Sequence, residues 1–469
     1  MSAVPKEITP GAGATQKLAE HVAHARYEKL SAKTVHAYKR AFQDHLTCAI
    51  AGAAMPVSQA LLDYFSDTDA SRTATVVGTN AKLSAQNAAL VNGANTHALD
   101  FDDGHTNGSA HPSGAIFPAV LATAQQYGSS PREIILAAVM GYDVMCRIAA
   151  AGHPATARRG WHNTPLAGVF GAAAAVSKLL GLNAEQTRNA LGLAGSFSGG
   201  IREYLDEGAE IKRIHPGKAA RDGLICAEFA KRGITGPAKV LEGRYGWGNI
   251  FASGEMKWDR LLLGIGERYE IEHAYFKPYP CCRHYHAVID GILALRAQHG
   301  FTAKDVKHIA IGLYAVGFNG HDHKHYENLL DAQMSAPVAA ALAVVDGEIA
   351  AHRFVPESLE RPEVQRLVEA ADAAIDDECE RIYPGRRSGY VRIDLADGRS
   401  FDARVLDPKG EGESPMTDDD LRRKFNSNCE PVIGKAQCER LGEIVWNFEQ
   451  QTDTQELLRV VIPDPRQRK

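Results

Sequence analysis

Aromatic residues make up only 7% of this 469-residue chain, and no two of its cysteines stand in a C-x-x-C pair. Basic residues are also in deficit: 52 Lys and Arg face 57 Asp and Glu, so the formal net charge is −5. That balance excludes the basic face of a nucleic-acid binder and a polybasic membrane patch. The opening MSAVPKEITPGAGATQ lacks the basic-then-apolar layout of a secretory signal. The longest uncharged helical stretch, Trp161 to Ser177, is rich in Gly and Ala and opens with His-Asn-Thr-Pro. It suits close packing inside a protein better than a membrane span. These absences set the expectation of a cytoplasmic globular enzyme with neither nucleic-acid nor membrane partners.

The cysteines Cys48, Cys146, Cys226, Cys281, Cys282, Cys379, Cys429 and Cys438 are scattered without framework spacing. Reduced thiols are expected, and the spacing suggests no three convergent thiolates for an iron–sulfur cluster. Cys281 and Cys282 are adjacent and fit a mutual disulfide poorly.

What is present is ordinary apolar content, 45%, and 43 glycines, on a chain long enough for two or three domains. Up to about residue 265 the pattern is helix after helix. Ser31 is placed to cap a helix reaching Gly52. Ser130-Pro131-Arg132-Glu133 has the capping-box form and opens an apolar helix through Ile148. Thr164-Pro165 opens another, ending near Gly181, and Asn183 with Gln186 starts the next. His215-Pro216 is read as the start of a helix ending near Gly233. From about 266 the character changes. Arg268–Tyr275, Val306–Val316, Tyr390–Leu395 and Phe401–Leu406 read as strands, the last two flanking an Ala-Asp-Gly turn. Helices Ala287–Gln298, Ala336–Val345 and Pro362–Ile375 lie among them. Helices resume at Thr417, Pro431 and Asp453. The expectation is a mostly helical protein with a smaller α+β domain: residues 1–266 helical, 267–408 an α+β lid, and 409–469 a helical segment returning to the first domain.

Four segments combine His or Lys with a helix start: 97–114, 158–165, 210–223 and 277–290. Helix N-termini carry unpaired N–H groups and partial positive charge, so they attract anions. Lys218 and Arg221 would fall in the first turns of their helix, against the dipole. Asp206, Glu207 and Glu210 could offset them, and a bound carboxylate would serve equally. Asp100, Asp102 and Asp103 stand beside His105 and His111, so one carboxylate could orient a histidine or lysine. A metal reading would use Asp102, Asp103, His105 and His111, or His321, His323 and His325. There is no H-E-x-x-H pair, and the 321–325 run reads as an exposed loop. Ser113 lies in HPSG, outside a nucleophile elbow. GSFSGGIR (195–202) lacks the lysine and context of a phosphate loop.

At these segments the sequence resembles the MmgE/PrpD family, which includes 2-methylcitrate dehydratase, cis-aconitate decarboxylase and iminodisuccinate epimerase. The carrying runs are NGANTHALDFDDGH, HPSGAIFPA, GWHNTPLAGVFGAAAA, Lys212 to Ala220, KRGITGPAKVLEG and KPYPCCRHYHAVID. The resemblance implies a helical domain built from both chain ends, an α+β lid, an active site between them, a homodimer, and no metal or other cofactor. Matched residue by residue, it points to Asp100, His111, His162, Lys212 and His286. Lys212 and His162 are assigned as the leading proton-transfer pair. His111 would protonate a leaving hydroxyl or receive the opposite-face proton, and Asp100 would orient His111 or Lys212. His286 and Arg283 would bind a carboxylate from the lid, with His284 as the alternative to His286 and Asp103 as a further substrate contact. Two positions depart from the decarboxylase pattern: Gly104 stands where a Thr is expected and Val338 where a Tyr is expected. The leading expectation is a hydro-lyase on a small di- or tricarboxylate. Epimerisation, decarboxylation and carboxylate binding without turnover are the alternatives.

Overall fold

The computed structural model describes residues 11–351 and 354–463, apart from the Asp206 side chain. The chain is mostly helical, with one smaller α+β unit. The helical part is organised around Pro131–Gly152, Asn163–Leu179 and Ile211–Lys231, packed side by side with Ala85–His97 and Ser113–Tyr127. These helices carry Gly or Ala where they face one another, so their axes approach closely and the core needs few aromatics. Pro131–Gly152 is long and apolar enough to cross a membrane, yet its apolar stretch is wholly buried against its neighbours.

The caps follow local chemistry. Ser31 accepts from the Thr34 N–H and starts Ala32–Gly52. Ser130 with Glu133, and Asn183 with Gln186, form reciprocal capping boxes. A single apolar core joins Leu18, Phe42, Phe117, Phe170 and Leu224 to Leu421, Phe425, Leu441 and Phe448. The helices Asp418–Ile433 and Lys435–Trp446 therefore pack in the same core as the first half of the chain.

A second core belongs to the α+β unit. Its four-stranded sheet has the order Ala371–Ile375, Val306–Leu313, Gly389–Leu395, Ser400–Val405. The first pair is parallel and the other two are antiparallel, with Ile309 opposite both Ala371 and Ile393. Helices His286–His299 and Ala336–Asp346 contact this sheet, and Pro362–Glu369 packs against Ala336–Asp346.

Four elements differ from the sequence reading. Ile211–Lys231 begins before His215 and runs through Pro216. Pro216 lacks an N–H, so the Lys212 carbonyl loses that helical bond, but the flanking apolar contacts carry the helix past it. Arg268–Tyr275 is not one strand. Glu270 is drawn into a 3₁₀ turn, its N–H donating to Asp143 and its carboxylate accepting from Arg260, and only Ala274–Tyr275 pairs, with Gly104–His105. The Pro362 helix stops at Glu369 because Ala371–Ile375, alanine-rich as it is, is recruited as a sheet edge. Pro431 does not start a helix: it lies inside Asp418–Ile433, and the next helix begins at Lys435.

Candidate active site

The site begins with a close crossing of glycines. A Cβ on Gly93 would lie 2.4 Å from the Gly217 Cα, and one on Gly217 would lie 2.0 Å from the Leu90 carbonyl oxygen. Only residues without Cβ let Ala85–His97 meet Ile211–Lys231 this closely. The contact places the first turn of the second helix, which carries Lys212, beside the loop that follows His97.

That loop is held by its carbonyl groups. The Leu99 oxygen accepts from Gln333 Nε2 at 2.9 Å, the Asp100 oxygen from Lys277 Nζ at 2.9 Å, and the Phe101 oxygen from Lys424 Nζ at 2.7 Å. The Lys424 ammonium also pairs with Asp44 at 2.6 Å. Asp100 sits in the left-handed region at φ 49°, a conformation that non-glycine residues adopt only under such constraint. Its carboxylate is ion-paired with Lys212 through one oxygen and with Lys277, 3.1 Å away, through the other. Burial would push the Asp100 carboxyl up, but the two ammonium groups outweigh it and hold it well below the usual range. Burial opposes the charge on Lys277, and Asp100 overcomes that and raises its pKa.

A small cavity of about 90 Å³ opens here, between the helical part and the α+β unit. On the helical side it is lined by Asp100, Lys212, His111 and His162. The two imidazoles are held by defined bonds. His111 Nδ1 is 2.7 Å from the Asp103 carbonyl oxygen, which can only accept, so Nε2 is left as the basic nitrogen. Burial holds the His111 imidazole down to about 3. His162 caps Asn163–Leu179, its Nδ1 is 2.9 Å from His215 Nδ1, and burial followed by His215 keeps it well below its ordinary value. His97 joins this cluster from beneath, bonded to Asp102 at 2.8 Å, with ring centroids 4.9 Å from His111 and 6.4 Å from His162.

The α+β side contributes Arg283, His284, His321, Cys282 and Arg387. His284 Nδ1 lies 2.6 Å from the Tyr314 hydroxyl. Arg283 is ion-paired with Glu411 at 3.1 Å. Two residues assigned from the resemblance stand behind the cavity wall. His286 is fully buried, its Nδ1 2.8 Å from Arg283 Nη1 and its Nε2 turned to the Cys281 carbonyl, so it braces Arg283, and His284 is the histidine at the cavity. Asp103 is fully buried, accepting from the Ser113 N–H and the Tyr142 hydroxyl, and burial beside Asp44 pushes its carboxyl up to about 8.

Lys218 and Arg221 lie in mid-helix rather than at its start, and Asp222 offsets both at 2.9 and 3.0 Å. The Asp206 side chain proposed for that purpose lies outside the described residues. His321 is not in an exposed loop: it is buried in the cavity wall, whereas His325 is exposed. His105 is bonded to Glu270 at 2.9 Å, away from the cavity. Among the described residues, His97, Asp102 and His111 bring ligand atoms within 4.8 Å of one another. Asp102 is already committed to His97, and two ammonium groups flank Asp100 alongside, so the electrostatics suit an anion rather than a cation. Sequence reasoning missed Lys277, Tyr204, Tyr275, Arg202 and Arg387, all at the cavity. Lys277 stood in the KPYPCC run that carried the resemblance. Arg387 had no local signal.

Gly104 has a spatial explanation. A Cβ there would lie 2.3 Å from the Tyr275 hydroxyl and ring carbon. The phenol fills the space a side chain would need. Val338 is fully buried in the second core and does not reach the cavity.

The fold and this polar cleft define a two-part scaffold with an anion-receptive junction. Residues 16–259 match the model of the MmgE/PrpD N-terminal domain, and residues 279–450 that of the MmgE/PrpD C-terminal domain. The chain belongs to the MmgE/PrpD family. It is 27% identical to the cis-aconitate decarboxylase-like protein oryM of Aspergillus oryzae, over 97% of this chain and 98% of the relative. It is 25% identical to cis-aconitate decarboxylase of Aspergillus terreus, over 96% of each. It is 26% identical to cis-aconitate decarboxylase of Homo sapiens, over 94% of this chain and 92% of the relative.

Proposed function

We propose that this protein is a lyase acting on an aconitate- or methylcitrate-like tricarboxylate, by proton transfer at a carbon beside a carboxylate, without a cofactor. The observation that carries this reading is the meeting in one cavity of the Lys212–Asp100–Lys277 ion pairs with the imidazoles of His111 and His162. Removing a proton beside a carboxylate builds a dianionic enediolate, which needs positive charge already aimed at it. Two ammonium groups supply that charge. The imidazoles, held neutral by burial, can each accept a proton. A bound polycarboxylate adds negative charge, which raises both toward the pH at which they exchange protons efficiently. His162 accepts the carbon-bound proton, the Lys212 ammonium stands as its proton-transfer partner able to return one, and His111, through Nε2, serves the leaving group. Arg283, His284 and Arg387 bind the remaining carboxylates from the lid.

Dehydration is the first reading because Gly104 and Val338 depart from the decarboxylase pattern, and Tyr275 fills the space at Gly104. Decarboxylation is the second, favoured by the names of the relatives. The test is incubation with citrate, 2-methylcitrate and cis-aconitate in heavy water, with product identification. A new alkene without gas evolution supports dehydration. Carbon dioxide with a deuterated product supports decarboxylation. Deuterium exchange into 2-methylcitrate with inverted configuration and no new alkene overturns the lyase reading in favour of epimerisation. Ligand-induced stabilisation without exchange or turnover overturns catalysis altogether.

A further inference from the structure

Seven of the eight cysteines are buried, while Cys282 lies in the cavity wall and is only partly covered. Its Sγ is 3.2 Å from Nε2 of His321, which lines the same cavity. The other ring nitrogen, Nδ1, is 3.1 Å from the Asn319 carbonyl oxygen. A carbonyl only accepts, so Nδ1 keeps its hydrogen and Nε2 faces the sulfur. Transfer of the thiol proton to Nε2 then makes an imidazolium beside a thiolate, the nucleophilic form of cysteine. The neighbouring Cys281 shows the contrast: it is turned away, fully buried, 3.6 Å from His286, and burial pushes its thiol far up. Burial would do the same to Cys282, but His321 outweighs it and lowers the thiol, while His321 is itself raised by its sulfur partner against its own burial. The charged and titratable groups around the pair are Lys277, Cys281, His284 and Tyr285 on the stretch carrying Cys282, Tyr314 beside His284, and Asp100, Arg202 and Tyr204 across the cavity.

We propose that Cys282 and His321 form a nucleophilic thiolate–imidazolium pair in the cavity wall, a covalent modification site for small electrophiles that carry a carboxylate. The choice of a carboxylate rests on the polycarboxylate reading above, because Lys212, Lys277, Arg202 and Arg387 share the cavity with the sulfur. With iodoacetate the sulfur–carbon bond forms as the carbon–iodine bond breaks. Iodide leaves with the bonding pair, and the proton stays on His321.

The test is alkylation of the full chain by iodoacetate and by neutral iodoacetamide between pH 5 and 9, with peptide mass spectrometry and glutathione as reference. Cys282 is expected to react first among the eight cysteines, at least tenfold faster than glutathione at pH 6. Its iodoacetate-to-iodoacetamide rate ratio should exceed that of glutathione at least tenfold, with protection by tricarballylate. In His321→Gln the pH 6 rate should fall at least tenfold. The wild-type profile is decisive if that variant does not fold: a rate that follows pH as glutathione does overturns the pair, as does labelling of another cysteine first. Fast labelling at pH 6 with no preference for iodoacetate and no protection supports the pair while overturning the polycarboxylate reading.

Discussion

A single ammonium group holds both the backbone and the side chain of Asp100: Lys277 Nζ lies 2.9 Å from the Asp100 carbonyl oxygen and 3.1 Å from its carboxylate. With Gln333 and Lys424 on the neighbouring carbonyls, Lys277 helps hold the left-handed conformation of Asp100, and it adds to the charge of the cavity. Replacing it by Met should lower kcat/KM on the true substrate by about 10²–10³-fold, the size of loss seen when one preorganised charge-stabilising donor is removed. It should also destabilise the fold by roughly 3 kcal/mol, because a buried carboxylate loses a partner. Steady-state kinetics and denaturant unfolding check the two effects. A variant with full activity would remove Lys277 from the proposed chemistry.

Stability should depend on pH through the buried histidines. Burial holds His45 and His111 down to about 3, and His153 and His215 to about 4, in the folded state. The unfolded chain binds these protons near 6.5, so below that pH it holds more protons than the native state. The histidine contribution is therefore complete above about pH 6.5 and is lost as the pH drops toward 4. Each such histidine contributes about 1.4 kcal/mol per pH unit in that window. Asp100, whose folded pKa is depressed, adds a loss of the same sign at more acidic pH. Asp103, held up to about 8, contributes in the opposite sense, its stabilisation being lost as the pH rises from about 4 through 8. Thermal melts from pH 8 to 4 should show a maximum near pH 6.5, with a shallow fall on the alkaline side from Asp103 and a steeper fall on the acid side from the four histidines. A flat profile through pH 5 would contradict the neutral imidazoles.

The Gly93–Gly217 crossing makes a steric prediction. Gly217→Ala forces a methyl to 2.0 Å from the Leu90 carbonyl oxygen, so the two helices must separate. Overpacking of this kind costs about 1–3 kcal/mol, and more against backbone. Because the shift moves Lys212 away from Asp100, activity should fall further than stability. Gly128→Ala lies at an open helix end with nothing near its Cβ position. Its positive φ of 70° should cost about 1 kcal/mol and leave activity unchanged.

Lys424 offers a test of the contact between the last helices and the site loop. Its ammonium bonds the Phe101 carbonyl and Asp44, both buried. Lys424→Met should destabilise by about 3–5 kcal/mol, because the Asp44 charge is left buried and unpaired. Adding Asp44→Asn should restore much of that stability without restoring full activity, since the Phe101 carbonyl still lacks its donor. Equal unfolding midpoints for the single and double variants would refute the pairing.

Local chemistry was readable where the side chain that decides an element lies within a few residues of it. Ser130 with Glu133, Asn183 with Gln186, and the Ala-Asp-Gly hairpin around Gly398 all formed as their spacing predicts. It was misleading where a distant partner decides. Ala371–Ile375 reads as helix and becomes a strand because Val306–Leu313 offers it an edge. His215-Pro216 reads as a helix start, yet the packing of Ile211–Lys231 carries the helix across the proline. Asp103 and His286, adjacent in sequence to cavity residues, turn into the core.

The sequence by itself determined the helical character, the capped helix starts and the runs of histidine, lysine and aspartate from which the cavity is built. Those features depend on spacings of three or four residues. Only the tertiary structure decided which of those groups face one another. The carbonyls of Leu99, Asp100 and Phe101 are taken by Gln333, Lys277 and Lys424, residues 177 to 323 positions further along the chain. The physical reason is that a buried carbonyl must find a donor wherever packing supplies one, and no local pattern encodes a partner so far away.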